Sequence, residues 1–328
     1  MVFFLPSLQQ SGQLRDLPMV VCSVGSRQVK ANEDFASQGW SLFGENLTVY
    51  GFDADADACD AANAAIERNP QATWTEKHLP LVLSDTEGSA TLYVTRNPMC
   101  SSLYPPNIEF LKQFSGLLDV MDVDFTLEVE TTTLDRFCKA ENANTVDFLQ
   151  IDVQGADLKV LQGADRILET VLAVEVEVMF NSLYVGQPLF GEVDVYLRER
   201  GFSLFDLGRA HRERRVSPVK STVRHTGQLL WGEGFYFRDL VALPEEDPLK
   251  TPQNLLKLAC IADLLSFPEY CLELLVYLTE RYGQETSYDC FEAIAVSLSQ
   301  FPELVDRGLE TLSVLQPLQH RFCNLPQV

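Results

Sequence analysis

The stretch from Val146 to Leu168, VDFLQIDVQGADLKVLQGADRIL, constrains the fold of this chain more than any other segment. It begins with a short apolar run containing Phe148, Leu149 and Ile151, which is typical of a strand buried on both faces. A glycine turn follows, and the apolar spacing then becomes helical. Asp152 is therefore predicted at the carboxyl end of a buried strand, the edge at which open α/β sheets bind ligands.

Strand and helix patterns alternate along the first two thirds of the chain, which predicts a doubly wound, mostly parallel sheet with helices on both faces. The predicted strands are 19–24, 47–52, 78–83, 147–153 and 171–178, with a hairpin branch at 90–94 and a closing pair at 202–207 and 234–237. The predicted helices are 30–40, 60–66, 133–137, 158–161 and 189–200, and residues 96–124 are expected to be irregular and to cover a ligand.

The composition changes at a proline-rich and acidic linker over residues 243–248. Beyond the linker, apolar residues such as Leu255, Leu258 and Ala262 recur at helical spacing. We therefore predict an α/β domain at residues 1–243 and a C-terminal helical extension at 244–328. The apolar stripes of that extension are interpreted as packing surface or as a homodimer interface.

The charge balance argues against several partners. The 328 residues carry a formal net charge of −22, which opposes binding to nucleic acid and to anionic membranes. The eight cysteines form no CxxC pair and no metal-ligand spacing with the four histidines, so we interpret them as reduced packing residues. The opening segment has no basic region, and no apolar run approaches about 18 residues. We expect a cytoplasmic protein without a nucleic acid or membrane partner.

Two residues follow the first two predicted strands. Asp53 would suit the two hydroxyls of a ribose, with the N-cap of the next helix as the alternative. Gly25 either lets the backbone approach a cofactor or forms a simple turn. Because no GxGxxG fingerprint is present, the sequence disfavours a nicotinamide cofactor and favours a nucleoside cofactor without bridging phosphates.

Several motifs, taken in order, resemble the FkbM family of S-adenosylmethionine-dependent methyltransferases. They are VYGFDADADA, LVLSDTEGSATLYV, SSL at 101–103, TTLDRF, VDFLQIDVQGADLKVLQGA and LAVEVEV. The resemblance covers roughly residues 19–240. It implies a Rossmann-like class I methyltransferase fold with an antiparallel last strand and, most often, O-methylation of a sugar or another hydroxylated small molecule.

The same resemblance implies the cofactor site. Gly25 would lie beside the methionine part of S-adenosylmethionine, Asp53 would take the ribose hydroxyls, and Asp85 would lie near the adenine. The predicted cofactor-binding residues are Ser23, Gly25, Asp53, Asp85 and Asp152.

Methyl transfer is an in-line displacement in which the protein positions a nucleophile and often removes its proton. Asp152 is the predicted catalytic base or orienting group, and the alternative is that it caps the next helix or hydrogen-bonds the turn. Glu175 and Glu177 share one face of a strand, which suits substrate binding or, with Asp152, a divalent metal. Structural pairing with arginines or helix N-termini is the other interpretation, and we assign no metal ligand.

A basic segment from Arg209 to His225 contains six arginines and lysines and a single acid. It would suit an anionic acceptor or an acidic carrier protein, and a solvated hairpin connection is the alternative. Within it, His211 is a candidate base near neutral pH. Ser101 and Ser102 are candidate contacts of substrate or cofactor, with a solvated loop as the alternative. The predicted substrate-binding residues are Glu175, Glu177, Ser102 and His211.

These observations predict an S-adenosylmethionine-dependent O-methyltransferase. Three positions depart from the family pattern: Ser23 and Val29 replace an acid and a glycine of the first loop, and Gln154 replaces an acid after the fourth strand. A non-catalytic cofactor-binding module of the same fold is therefore the second hypothesis. A nicotinamide-dependent oxidoreductase is the third.

Overall fold

The computed structural model describes residues 2–26, 39–219 and 226–322 and shows an α/β fold built on two sheets. The strands are β1 (Met19–Val24), β2 (Leu47–Phe52), β3 (Thr75–Leu79), β4 (Val82–Leu83), β5 (Gly88–Thr95), β6 (Val123–Thr132), β7 (Phe148–Ile151), β8 (Ala173–Met179), β9 (Ser203–Leu207), β10 (His211–Glu213) and β11 (Gln228–Phe237).

Helices connect and cover these strands. The α-helices are α1 (Leu5–Gln10), α2 (Ala56–Glu67), α3 (Ile108–Leu111), α4 (Leu117–Met121), α5 (Leu134–Ala140), α6 (Asp157–Gln162), α7 (Phe190–Glu199), α8 (Pro252–Leu264), α9 (Pro268–Tyr282), α10 (Phe291–Leu298), α11 (Pro302–Arg307) and α12 (Gln319–Phe322). Short 3-10 helices lie at Trp40–Asn46, Pro98–Cys100, Ile167–Glu169, Thr286–Tyr288, Leu309–Thr311 and Ser313–Leu318.

The central sheet has eight strands in the order β10-β11-β8-β7-β1-β2-β3, with β9 also paired to β11. Strands β8, β7, β1, β2 and β3 run parallel, whereas β11 is antiparallel to β8. The predicted closing pair is confirmed as β9 and β11, although β11 begins earlier than predicted and also pairs with β10. This arrangement confirms the mostly parallel sheet and its antiparallel last strand.

Side-chain alternation along the strands builds one core on each face of the sheet. Cys22 and Leu149 belong to the core that contains residues of α5, α6 and α7. Val21 and Phe148, one residue earlier in each strand, belong to the core that contains residues of α1, α8, α9 and α10. Helical residues therefore cover both faces, as the doubly wound prediction requires.

The C-terminal helices use their apolar stripes to cover the second face. Leu255, Leu258 and Ala262 are fully buried in the same core as Met19 of β1. The side chain of Lys257 on α8 also forms a buried ion pair with Asp147, immediately before β7. The stripes thus serve packing, while the boundary at residues 243/244 and a homodimer through these helices stay predictions.

The third predicted strand is wrong in its bounds. The chain forms β3 over Thr75–Leu79, turns at Pro80, and continues as β4, which belongs to the second sheet. Proline has no N–H to donate to a ladder, so a strand through this position is interrupted. Leu81 N–H instead donates to the Leu79 carbonyl at 2.9 Å, which closes a tight turn.

The second sheet has the order β4-β6-β5. The hairpin branch predicted at 90–94 is confirmed as β5, and its antiparallel partner is β6. No strand was predicted over β6, although Val123, Phe125, Leu127 and Val129 alternate there with polar residues. That alternation was the signal for a strand with one apolar face.

Residues 30–38 of the helix expected at 30–40 lie outside the described residues. Gly39 and Trp40 are described, and Trp40 begins a 3-10 helix. Within the described ranges, no helix combines the length and the apolar character needed to cross a membrane.

Candidate functional site

The carboxyl ends of β1, β2 and β7 meet at one edge of the central sheet. Gly25 follows β1, Asp53 follows β2, and Asp152 follows β7. Gly25 N–H donates to the Phe52 carbonyl at 2.8 Å, and Asp152 N–H donates to the Val24 carbonyl at 2.9 Å. Three residues that the sequence predicted for the cofactor are therefore neighbours.

Gly25 is required by the backbone at this edge. Its φ is +82°, and a Cβ built there would lie only 1.8 Å from the carbonyl oxygen of Asp152. Any other residue would force β1 and β7 apart at their ends. Gly25 thus acts as more than a simple turn residue, because it permits the close approach of the two strands.

The strand ends border a cavity of about 590 Å³, a size typical of small-molecule sites. Its walls come from the strand ends, from residues 54–57 at the start of α2, from 81–83, from β5 and β6, and from the loop after β5. The lining residues include Val24, Gly25, Phe52, Asp53, Asp55, Asp57, Leu81, Val82, Leu83, Leu92, Val94, Thr95, Arg96, Met99, Ser101, Ser102, Asp124, Phe125, Leu127, Asp152, Val153 and Gln154.

Asp53 lines this cavity and does not cap α2. The N-cap is Asp55, whose carboxylate accepts the N–H groups of Asp57 and Ala58. Asp53 Oδ1 accepts the Asp55 N–H at 2.8 Å, which orients the Asp53 side chain. The N-cap alternative for Asp53 is therefore wrong.

Asp152 does not cap the following helix either. Asp157 holds the turn by accepting the N–H groups of Val153 and Gly155 at 3.0 and 2.9 Å. The N-cap of α6 is Ala156, which makes no side-chain cap bond. The Asp152 carboxylate accepts a bond at 2.8 Å from the side chain of Gln154, a residue of that turn, so the hydrogen bond to the turn is present while the helix cap is not.

Asp152, which lines this cavity, forms a carboxyl pair with Glu177 behind it. Gln154 Nε2 donates to Asp152 Oδ1 at 2.8 Å and to Glu177 Oε2 at 2.9 Å, and the two carboxyls also contact each other. Burial raises the pKa of Glu177 well above its usual range, and the charges of Asp152 and Asp157 act in the same direction. Two carboxyls in contact do not both ionise easily, so the charge of Asp152 further opposes ionisation of Glu177.

The pKa of Asp152 is also raised above the usual aspartate value. Although the residue as a whole is exposed, the protein groups around its carboxyl reduce its hydration and raise its pKa, while the bonds from Gln154 and Glu177 oppose the rise. A carboxylate with a raised pKa is a stronger base than an ordinary aspartate.

Gln154, which the sequence analysis noted only as a departure from the family pattern, holds this arrangement together. Its φ is +55°, a left-handed backbone conformation that residues other than glycine seldom adopt. Its carbonyl accepts the Ser102 hydroxyl at 2.7 Å, and its Oε1 lies 3.0 Å from the Tyr184 hydroxyl. The turn after β7 is thereby tied to both the covering loop and the segment after β8.

A second, polar cavity of about 360 Å³ adjoins the first, and Asp152 borders both. Glu175 and Glu177 both line it, which confirms that they share a face. The other lining residues are Gln150, Ile151, Arg209, His211, Trp231 and Glu233. Burial and the charge of Glu233 raise the pKa of Glu175 to about 7.

The raised pKa of Glu175 predicts that the protein loses stability as pH increases from mildly acidic to basic. The unfolded chain releases the Glu175 proton near pH 4.3, whereas the folded chain keeps it until about pH 7. The stability that the protonated Glu175 contributes is thus fully present below the pKa of Glu175 in the unfolded chain. It is lost as pH rises through the pKa of Glu175 in the folded chain. We expect the free energy of unfolding in urea to fall by about 1–2 kcal/mol from pH 5.5 to pH 8 on this account. Glu175→Gln should flatten the change, while the exposed Glu67→Gln should not; equal pH dependence in all three proteins would contradict the assignment.

Three further predicted site residues, Ser23, Asp85 and Ser102, form hydrogen bonds within the protein. The Ser23 hydroxyl donates to Gln150 Oε1 at 3.1 Å, and Ser23 lines neither cavity. Asp85 also lines neither; it accepts from Lys159 at 3.3 Å and from the Ser84 hydroxyl. Ser102 does line the first cavity, but it is buried and uses its hydroxyl to hold the turn after β7.

The basic segment does not surround the first cavity. None of its described residues lines that cavity, and Arg209 and His211 line the second. Arg215 bonds Gln113 and Gln228, and Lys220, Arg224 and His225 lie outside the described residues. His211 stacks on Trp231 with ring centroids 3.7 Å apart.

The divalent-metal alternative finds no support in this geometry. Among residues 2–26, 39–219 and 226–322, no group of three or more His, Cys, Asp or Glu side chains could hold a metal ion. Asp152, Glu175 and Glu177 thus do not converge as a set of three ligands.

The central sheet is doubly wound, its last strand is antiparallel, and its strand tips meet at one cavity. This is the Rossmann-like class I methyltransferase fold. The family model described as Methyltransferase FkbM domain matches residues 35–204. The chain belongs to the FkbM methyltransferase family.

Solved structures show similarities at low identity. The FkbM methyltransferase of Methylobacillus flagellatus KT is 12% identical, with a TM-score of 0.37 over 67% of this chain and 43% of that one. The chain thus spans less than half the length of that protein. Magnesium protoporphyrin IX methyltransferase of Synechocystis PCC 6803, solved with bound SAM, is 13% identical, with a TM-score of 0.29 over 70% of this chain and 75% of that one. Among curated proteins, none matches the chain.

Proposed function

We propose that this methyltransferase binds S-adenosylmethionine in the cavity of about 590 Å³ and transfers the methyl group to a hydroxyl oxygen of a small-molecule acceptor. One observation carries the proposal: Gly25, Asp53 and Asp152, at the tips of three strands, line that single cavity. Ligands of open α/β sheets bind at such an edge.

The residues present fit the chemistry of this cofactor. The Asp53 carboxylate, oriented by the Asp55 N–H, suits the vicinal hydroxyls of a ribose. Leu81, Val82 and Leu83 supply an apolar surface that suits an adenine ring. When bound, S-adenosylmethionine supplies an electrophilic methyl group on a sulfonium.

Asp152 is proposed to accept the proton of the acceptor hydroxyl. Its carboxylate is held by Gln154 and Glu177, so its orientation is set before any acceptor binds. Its raised pKa places its basicity closer to neutral pH. The loop after β5, tied to Gln154 through Ser102, forms one side of the cavity.

Calorimetric titration with S-adenosylhomocysteine, the demethylated product, tests this assignment. Wild-type protein should bind it, and Asp53→Ala should weaken binding by about 10- to 100-fold, because hydrogen bonds to a charged group contribute about 1.5–3 kcal/mol. Asp60→Ala, an exposed acid one turn along α2 that does not line the cavity, is the matched control and should bind as wild type does.

Two results would count against the proposal. Absence of S-adenosylhomocysteine binding by the wild type would remove the cofactor assignment. Tight binding without methyl transfer to any member of a panel of hydroxylated compounds would favour a non-catalytic module of the same fold.

A further inference from the structure

Four apolar side chains of the second sheet form a wall of the first cavity, and sequence analysis did not identify them as a unit. Leu92 and Val94 lie on β5, and Phe125 and Leu127 lie on β6. Leu92 pairs directly with Leu127, and Val94 pairs with Phe125, so the four side chains share one face of the sheet. We call this set the apolar wall.

Two of the four side chains of the apolar wall are left about half uncovered by the protein, and the other two are partly buried. Phe125 is 49% exposed and Leu127 is 47% exposed, although both line the cavity. The opposite face of the same two strands is polar, since Ser89 and Thr91 donate to Glu128. Exposing large apolar groups at a cavity is unfavourable unless a ligand covers them.

The apolar wall lies beside Asp152 through a short series of contacts. Tyr93, between Leu92 and Val94, forms a β-bridge with Ser102. The Ser102 hydroxyl donates to the carbonyl of Gln154, two residues after Asp152. The strand that carries half of the wall is therefore tied to the turn after the proposed base, and both line the same cavity.

The apolar wall is distant from the residues proposed for the adenine. Val82 and Leu83 pair with Thr131 and Thr132 at the far end of β6. The four to six residues that separate Thr131 from Leu127 and Phe125 correspond to roughly 13–20 Å at about 3.3 Å per residue. An adenine on Leu81–Leu83 would thus leave the wall uncovered.

We propose that the apolar wall binds the carbon skeleton of the methyl acceptor, so that the acceptor is a hydroxylated molecule with a flat apolar face rather than a sugar or a small anion. This inference rests on the proposed function. A sugar presents hydroxyls that need hydrogen-bond partners, and the four wall side chains offer none. The described arginines of the basic segment do not line this cavity, and Arg96, which does line it, is already paired with Asp122 at 2.8 Å.

The test uses 2-naphthol, a flat and fluorescent hydroxylated probe, with methyl glucoside as the polar probe. Both are titrated into the full chain saturated with S-adenosylhomocysteine. We expect 2-naphthol to bind more tightly than the glucoside. The double variant Phe125→Ser/Leu127→Ser should weaken 2-naphthol binding by at least about tenfold, because the apolar area covered by the ligand is lost.

Leu207→Ser is the matched control, because Leu207 is an exposed leucine on β9 that does not line the cavity. It should leave 2-naphthol binding unchanged. The double variant should keep the melting temperature and the S-adenosylhomocysteine affinity of the wild type, since both side chains are already half exposed.

Several outcomes would overturn the inference. Equal or tighter binding of the glucoside, or 2-naphthol binding that the double variant leaves unchanged, would remove the acceptor assignment. A parallel loss of S-adenosylhomocysteine affinity would place the cofactor on the wall instead. If light scattering finds the wild type to be a dimer and the double variant to be a monomer, a second copy of the chain covers the apolar wall instead. If S-adenosylhomocysteine fails to bind the wild type, the proposed function itself fails, which the same titration distinguishes.

Discussion

Replacing Asp152 with asparagine is expected to reduce methyl transfer by about 10²–10⁴-fold, the range that general base catalysis contributes. Asparagine keeps the shape of the side chain and can still accept the bond from Gln154, but it cannot take the acceptor proton. Affinity for S-adenosylhomocysteine should remain close to that of the wild type, because the ribose and adenine contacts are assigned to other residues. Labelled methyl transfer to an acceptor that the wild type uses, together with calorimetry, measures both quantities.

The pH profile and a control variant sharpen this experiment. The wild-type rate should rise with pH through the pKa of Asp152, which lies above the usual aspartate range, and this limb should vanish in Asp152→Asn. Asp60→Asn makes the same chemical change at an exposed position outside the cavity and should leave the rate unchanged. Full turnover in Asp152→Asn, or a loss confined to cofactor affinity, would show that Asp152 is not the base.

Replacing Lys257 with methionine is expected to destabilise the fold by about 3–5 kcal/mol, the cost of breaking a buried ion pair from one side. Lys257 Nζ donates to both carboxylate oxygens of Asp147 at 2.8 and 3.0 Å, and the two side chains are only 7% and 3% exposed. Asp147 also accepts the Val20 N–H at 2.8 Å, so the pair joins α8 to the start of the central sheet. Urea unfolding of the full chain at pH 7 measures the loss.

The same variant should be less destabilised at acidic pH. Burial raises the pKa of Asp147 and the Lys257 ammonium opposes the rise, so without Lys257 the folded chain would hold the Asp147 proton to a higher pH. The stability of Lys257→Met is then greatest below the pKa that Asp147 has in the unfolded chain. It falls as pH increases through the pKa that Asp147 has in the folded chain. Lys139→Met, at an exposed position on α5, is the control.

A double variant separates the unpaired charge from lost packing. Asp147→Asn combined with Lys257→Met removes both charges and should recover part of the stability that Lys257→Met loses. A loss of less than about 1 kcal/mol in Lys257→Met would mean that the ion pair contributes no more than an exposed one.

Much of the central sheet was predictable because its strands have local signatures. Strand β1 matches its prediction in both bounds, as does β2. Thr133 caps α5, as the capped helix at 133–137 predicted. The errors fall where one sheet gives way to the other: Pro80 ends β3, and β6 finds its partners only through long-range pairing with β5 and β4.

The candidate site was predictable at the strand ends and not elsewhere. Asp53 and Asp152 follow buried strands, and parallel strands place their carboxyl ends at one edge. By contrast, Tyr184 reaches Gln154 across 30 positions of sequence, and no local pattern records that contact. Glu175 and Glu177 were assigned to one face correctly, but the second cavity beside them depends on residues of β10 and β11.

Periodicity and strand-terminal acids were enough to predict an α/β sheet with Gly25, Asp53 and Asp152 at its binding edge, since alternation and turn chemistry are encoded within a few residues. Which acid has its pKa raised, and which apolar face lines the cavity, depended on folding. Burial beside Asp152 raises the pKa of Glu177, and the apolar wall forms because β5 and β6 pair as antiparallel neighbours. Desolvation and cross-strand contact arise only when distant segments come together.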